Sequence, residues 1–470
     1  MAHSRLALRA GMRTRVFSNS WLTHLQRWLR GVVAWTVMWA LMAPAFAAEL
    51  PQKRTHQGID DAVVLRGATL WTGTGAILLD TDLLMVRGKI AAVGKNLSVP
   101  GKTREVDARG RIATPGLVDM HSHLGLYAAP NSRAHGDGNE MTAPTTPMVR
   151  AIDGFDPEDA AIARAVSGGV TTALVLPGSG NIMGGQGFFI KLFGQSTADM
   201  ALPGAPRALK WAMGENPKRY YGSRGQMPMS RMGHAWLIRQ KLQEAKDLKD
   251  SQDKWDREPQ GMRPQRQDLE ALVGLLRREV QLHVHCYERH DIETLLRLAS
   301  EFHIHVTAIH HALEAWKVPD LLRDRRVSVA LFSDLWGFKH EAYDASVHAP
   351  RLLLQAGVNV ALKSDHPVID ARDLMGEAAK SHHYGVAEQQ ALQLVTRNPA
   401  IALGLIDRLG TLELGKDADV VLWPGNPLQL GARPQRVFVN GIQVVGDGDN
   451  LQARWSGDAH PTGNVCGCGP

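Results

Sequence analysis

Cysteine is scarce in this chain, three residues in 470, which excludes the disulfide-built scaffold of small secreted domains. Cys466 and Cys468 sit in a Gly-rich tail, CGCGP, where a bridge and free thiols are both open, and Cys286 falls at a strand-like end. No Gly-rich dinucleotide fingerprint and no internal repeat is present. The longest apolar run, GVVAWTVMWALMA, has about 13 residues and is too short to span a bilayer comfortably. An excess of basic charge is also missing from most of the chain. The formal net charge is +6, from 53 Lys and Arg against 47 Asp and Glu, but six of the arginines and none of the acids lie in residues 1–47. The remainder carries 47 of each sign, so charge gives no argument for nucleic-acid or membrane binding.

Those first 47 residues have the layout of an export signal: Arg5, Arg9, Arg13, Arg15, Arg27 and Arg30, then the apolar run, then the small-residue site Ala45-Phe46-Ala47. Cleavage after Ala47 and a periplasmic or secreted location are expected, with an uncleaved anchor as the alternative. No cysteine follows the site to accept a lipid.

At 470 residues the chain has material for one large domain or two unequal ones. Residues 61–113 alternate short β-rich runs with glycine turns, and the same texture returns in ADVVLWPG and RVFVNGIQVVGDG over 418–448. Open sheet edges invite aggregation, so fragments 61–113 and 412–450 are expected to pair into one β-sandwich satellite domain. Between them, residues 114–411 alternate apolar runs such as TTALVLPG, FFIKLFG, ALKWAMG, VQLHVHC and VNVALKSD with helical stretches. That count fits an α/β fold, a (β/α)8 TIM-like barrel, with a doubly wound sheet as the alternative. The polar stretch 221–266 reads as an excursion over the barrel mouth or a solvated insertion, and 451–470 as a tail.

In TPGLVDMHSHLG, residues 114–125, His121 and His123 stand two apart at the far end of a strand that starts after Pro115-Gly116. Residues i and i+2 share a strand face, so the two imidazoles can share one metal ion; two core histidines bonded to neighbours would give the same pattern. Later strand ends carry His285 and His311, and VNVALKSDHPVID ends in Asp365. Histidines and a carboxylate, each at a strand end, make a donor set suited to zinc or a similar divalent ion. His303 and His305 fall too far back along their strand and read as structural, His283 as a core or supporting residue, and His310 as pointing away from the pore.

With these motifs in place the chain resembles the amidohydrolase superfamily over nearly its whole length after the signal. PGLVDMHSHLG is similar to that superfamily's first-strand signature, GGVTTALVLPG to its second strand, and NPAIALGLIDRLGTLELGKDADVVLW to its closing helix and return to the satellite sheet. Within it the imidazolonepropionase-like group is the most similar. The resemblance implies one or two divalent ions, zinc foremost, bound by His121, His123, His285, His311 and Asp365. It also implies a bridging acid that is either a glutamate or a carbamylated lysine. Glu215, closing the run ALKWAMG, is favoured for it, with Lys191 in FFIKLFG as the alternative.

The implied chemistry is hydrolysis of a C–N bond in a cyclic amide, an imidazolone-like ring or a dipeptide, with Asp365 moving the proton. Glu288, three residues after His285, matches the spacing of a proton-shuttling acid in related deaminases and imidazolone hydrolases. Tyr127, Tyr287 and Arg289 are candidate substrate contacts. A deaminase on the same scaffold and a non-catalytic binding protein are the competing readings. The expected partner is a small molecule, not nucleic acid or membrane, and a homo-oligomer is open.

Overall fold

The structure is a computed structural model that describes residues 62–130 and 132–446; the expected export signal and the Cys466/Cys468 tail lie outside them. Five strands open the described chain: β1 (Ala62–Trp71), β2 (Ile77–Val86), β3 (Lys89–Gly94), β4 (Arg104–Asp107) and β5 (Ile112–Pro115). Arg87 and Gly88, at φ 47° and 79°, form the tight turn between β2 and β3. Left-handed conformation at both central residues matches the twist of an antiparallel hairpin.

Eight further strands follow: β6 (Leu117–Ser122), β7 (Val170–Val175), β8 (Met183–Lys191), β9 (Arg207–Ala212), β10 (Val280–Cys286), β11 (Ala308–His311), β12 (Ser328–Leu331) and β13 (Val360–Leu362). They lie side by side in chain order as one sheet. Beyond the last strand the curl is closed by the main chain, Asp365 N–H donating to His121 O at 2.9 Å and His123 N–H to His366 O at 3.1 Å. Alternation divides the strands: Leu282, Val284 and Cys286 of β10 join the large apolar cluster that includes Ile292, Leu295 and Leu298 of the following helix, while Gln281, His283 and His285 take the other face.

One strand departs from the parallel pattern expected. β8 runs antiparallel to both β7 and β9, so its C-terminal end, FFIK, lies at the face of the barrel where the other strands begin.

The chain ends in β14 (Val420–Trp423), β15 (Arg436–Val439) and β16 (Ile442–Val445). β14 pairs antiparallel with β5, Val421 opposite Thr114, and the satellite is thus built from both ends of the described chain. Its strands form one continuous path, β16-β15-β14-β5-β1-β2-β3 with β4 beside β1, rather than two separate sheets. That path encloses its own apolar cluster, with Leu65, Leu83, Val420 and Phe438 fully buried.

The polar stretch after residue 221 is ordered. Ser230 caps the helix Arg231–Arg257 by accepting from Gly233 N–H. Ile238, Leu242, Ala245 and Leu248, spaced three and four apart, put a stripe of this helix into the main core. None of the helices among the described residues is long and apolar enough to cross a membrane.

Candidate metal centre

β6 is buried along its whole length, and its register against β7 shifts between Asp119 and Ser122. Asp119 anchors the strand end: its carboxylate accepts from the Ser364 backbone N–H at 3.2 Å, from the Ser364 hydroxyl and from His121 N–H at 3.3 Å. Burial pushes its carboxyl up to about 6 against the pull of those donors. The anchor brings the ends of β6 and β13 together, with His121 Nε2 3.0 Å and His123 Nε2 3.2 Å from Asp365 Oδ1.

His123 Nε2 and Asp365 Oδ1 cannot satisfy one another. His123 Nδ1 lies 2.6 Å from the Leu176 carbonyl, an acceptor, so Nδ1 carries the proton and Nε2 presents its lone pair to a carboxylate oxygen that is also an acceptor. Such a meeting of lone pairs is repulsive unless a cation stands among them. Buried nitrogens beside them point the same way: His285 Nδ1 and both nitrogens of His311 have no hydrogen-bond partner among the described residues. Each such group costs about 1–3 kcal/mol when left unmade. His311 Nδ1 lies 3.7 Å from Asp365 Oδ2, and the His285 and His311 rings are 4.2 Å apart between centroids. His121, His123 and Asp365 each offer a ligand atom within 4.8 Å of the others. Imidazole nitrogens and a carboxylate fit a divalent ion of the zinc kind.

The backbone is strained where it delivers these groups. His311 and Asp365 have φ of 68° and 55°, a left-handed conformation that costs a residue with a side chain roughly 1–3 kcal/mol. At His311 the kink breaks strand alternation, and His310 is therefore not turned away from the pore as expected. His310 Nδ1 lies 2.9 Å from His121 Nδ1, and His310 Nε2 lies 2.9 Å from His283 Nδ1.

Burial dominates the electrostatics. It holds His121, His285, His310 and His311 well below the ordinary histidine range and lowers His283 to about 3. Burial alone would raise Asp365, but Lys363 and the imidazoles of His121 and His311 keep its carboxyl well below the usual range. Lys363 Nζ is 3.5 Å from Asp365 Oδ2 and 3.4 Å from the centre of the Phe332 ring.

A second lysine, missed in the sequence, enters the site from β9. Lys210 is fully buried, its Nζ 3.4 Å from His121 Nε2 and 3.1 Å from Pro177 O. Strand register sets it opposite His283. The available signal was its place in ALKWAMG: alternation sends Leu209, Trp211 and Met213 to one side and leaves Lys210 on the face of the histidines.

Neither expected bridging residue joins this group. Lys191 ends antiparallel β8 at the opposite face of the barrel, where Nζ lies 2.5 Å from Asp419 and 3.1 Å from Asp417. Glu215 opens the helix Glu215–Gly222 and pairs with Lys339 at 3.2 Å. Its neighbour Asn216 is the closer residue, with Nδ2 3.4 Å from His285 Nε2 and Oδ1 accepting from Lys339 at 3.1 Å. Gly214, just before, has φ 87°, and a Cβ there would stand 2.6 Å from Glu341 Oε2. Glu341 is itself pushed up to about 7 by burial.

Glu288 immediately precedes the helix Arg289–Glu301 and is paired with Arg231, which also holds Asp291 at 3.0 Å and Glu341 at 2.6 Å. The expected proton shuttle is thus tied into an ion cluster rather than turned to Asp365. Arg289 is a surface residue 3.7 Å from Glu293. Tyr287 and Tyr127 do line the centre: Tyr287 stacks on His311 at 5.0 Å with Lys339 Nζ 4.0 Å from its ring, and Tyr127 meets His123 edge-on at 5.8 Å. His303 and His305 are exposed and precede β11.

Comparison with known proteins agrees with this architecture. Residues 266–445 match the model of the amidohydrolase family. Amidohydrolase tasK of Hapsidospora irregularis is 36% identical over 443 residues, 86% of this chain and 45% of that protein, so the chain spans a little under half of that relative's length. The imidazolonepropionase of Maricaulis maris is 26% identical over 385 residues, 74% of this chain and 89% of its own. The solved amidohydrolase of Thermotoga maritima MSB8 superposes with a TM-score of 0.78 at 37% identity, over 82% of this chain and 100% of that one. With that identity across the whole of a solved relative, the chain belongs to the amidohydrolase family.

Proposed function

We propose that the chain is an exported, metal-dependent hydrolase that cleaves a C–N bond in a small molecule: a cyclic amide, an imidazolone-like ring or a dipeptide. The observation that carries this reading is the convergence of His121 Nε2, His123 Nε2 and Asp365 Oδ1, in which the His123 lone pair meets a carboxylate oxygen with no hydrogen between them. His285 and His311 would complete the ligand set. A divalent ion bound there supplies an activated water near neutral pH and a charge that polarises the scissile group. The protein residues do the rest. Asp365 Oδ2, on the far side of the carboxylate from the histidines of β6, takes a proton from the attacking water and returns it to the departing nitrogen. Lys363 keeps that carboxylate ionised and ready to accept. Tyr287 and Tyr127 wall the centre and exclude water from its flanks. The deaminase alternative and the imidazolone-like substrate both drew on Glu288, whose pairing with Arg231 weakens each of them relative to a cyclic amide or dipeptide. Export rests on the composition of residues 1–47.

Lys210 replaces Lys191 and Glu215 as the candidate bridging residue, because it alone of the three reaches His121. Elemental analysis of the full chain expressed with zinc should give one or two ions per chain, and Lys210→Ala should lower a count of two toward one while Glu215→Gln does not. Fewer than about 0.2 ions per chain in the parent protein would contradict the metal reading.

A further inference from the structure

Beneath the metal centre, imidazoles continue through the barrel in one hydrogen-bonded line. His121 Nδ1 meets His310 Nδ1 at 2.9 Å, His310 Nε2 meets His283 Nδ1 at 2.9 Å, and His283 Nε2 meets Gln281 Oε1 at 3.3 Å. The line ends on the main chain, where Gln281 Nε2 donates to Leu403 O at 3.0 Å. All three rings are fully buried.

Direction follows from the fixed end. A carbonyl only accepts, so Leu403 sets the Gln281 amide with its nitrogen outward and its oxygen toward His283. That oxygen also only accepts, and His283 must present Nε2–H. A neutral imidazole has one N–H, and burial, with no carboxylate of the described residues hydrogen-bonded to either inner ring, keeps both neutral. His283 Nδ1 is then an acceptor and His310 presents Nε2–H. His310 Nδ1 accepts in turn, and His121 presents Nδ1–H. The Nε2 lone pair of His121 is left facing Asp365. His123 reaches the same state through the contact of its Nδ1 with Leu176 O.

We propose that Gln281, His283 and His310 are positioning residues that hold His121 as the Nδ1–H tautomer, so that its Nε2 lone pair is set for a divalent cation before the cation arrives. The proposal rests on the metal-site reading and extends it to residues that touch neither ion nor substrate. Without this line the ring would populate the Nε2–H form, which cannot ligate through that nitrogen.

Nuclear magnetic resonance of the full chain, labelled at both histidine ring nitrogens, reads the tautomers directly, first after metal removal by chelation and then with zinc restored. His121 is expected as Nδ1–H in both states, and His283 and His310 as Nε2–H. His121 found as Nε2–H or as a mixture in the metal-free chain would overturn this proposal alone; these tautomers in a chain that binds no zinc would overturn the metal-site reading instead. One variant adds an affinity test. Gln281→Leu, which removes the fixed acceptor, should weaken zinc binding about 10-fold, the low end for groups that orient a ligating imidazole. Equal zinc affinity in the parent chain and Gln281→Leu would overturn the proposal.

Discussion

Asp365→Asn is expected to lower kcat by about 10² to 10⁴, the usual worth of a positioned acid or base, while most of the metal stays bound. The two oxygens of this carboxylate meet different surroundings. Oδ1 lies between His121 Nε2 and His123 Nε2, whereas Oδ2 faces Lys363 Nζ at 3.5 Å and His311 Nδ1 at 3.7 Å. An asparagine can place its oxygen at the first position and still ligate, but at the second it offers an amide nitrogen that accepts no proton and meets the Lys363 ammonium. Turnover and metal content measured on the same preparation separate the two roles. Loss of metal together with activity would make Asp365 chiefly a ligand. Near-normal turnover would mean that another group moves the proton, contrary to the mechanism above.

Lys191→Met should destabilise the fold by about 3–5 kcal/mol, the cost of removing one partner from a buried ion pair, and leave the metal content of the folded protein unchanged. Lys191 is 6% exposed and sits between Asp417 and Asp419, themselves 4% and 6% exposed, on the chain that returns from the barrel to β14. The Thr172 hydroxyl and the Asn440 N–H also meet Asp419, and Lys89 and Arg408 meet Asp417. Burial alone would raise the Asp417 carboxyl, but Lys191 and the other cations hold it below the usual range. A carboxyl depressed in the folded state contributes stability that is fully present above its unfolded value and is lost as pH falls through the folded one. The parent chain should therefore lose more stability than Lys191→Met as pH drops below about 4. Denaturant unfolding across that range checks both points. An unchanged stability with reduced metal would return the bridging role to Lys191.

The misplacement of Lys191 shows what an apolar pattern leaves out. FFIKLFG reads as a strand from its β-branched and aromatic residues, but periodicity carries no direction, and only the pairing of β8 with β7 and β9 turns its end away from the histidines. Lys210 was hidden for a related reason: a lysine between Leu209 and Trp211 looks like the solvent face of a half-buried strand, and only closure of the barrel makes that face an interior. His121, His123 and Asp365 were legible because each follows an apolar run at the end where a parallel strand delivers its last side chains. His310 was misjudged because alternation was carried through a residue, His311, whose left-handed backbone ends it. In the helix Arg231–Arg257, charged residues outnumber the apolar stripe that packs it, so composition suggested a solvated excursion where spacing shows a docked helix.

Anomalous diffraction at the zinc edge, from crystals of the zinc-loaded full chain, tests the central claim most directly. The account predicts a peak among His121 Nε2, His123 Nε2 and Asp365 Oδ1, with ligand distances of about 2.0–2.2 Å. Full zinc content with the peak elsewhere, for example on the Glu288, His290 and Asp291 cluster, would contradict it.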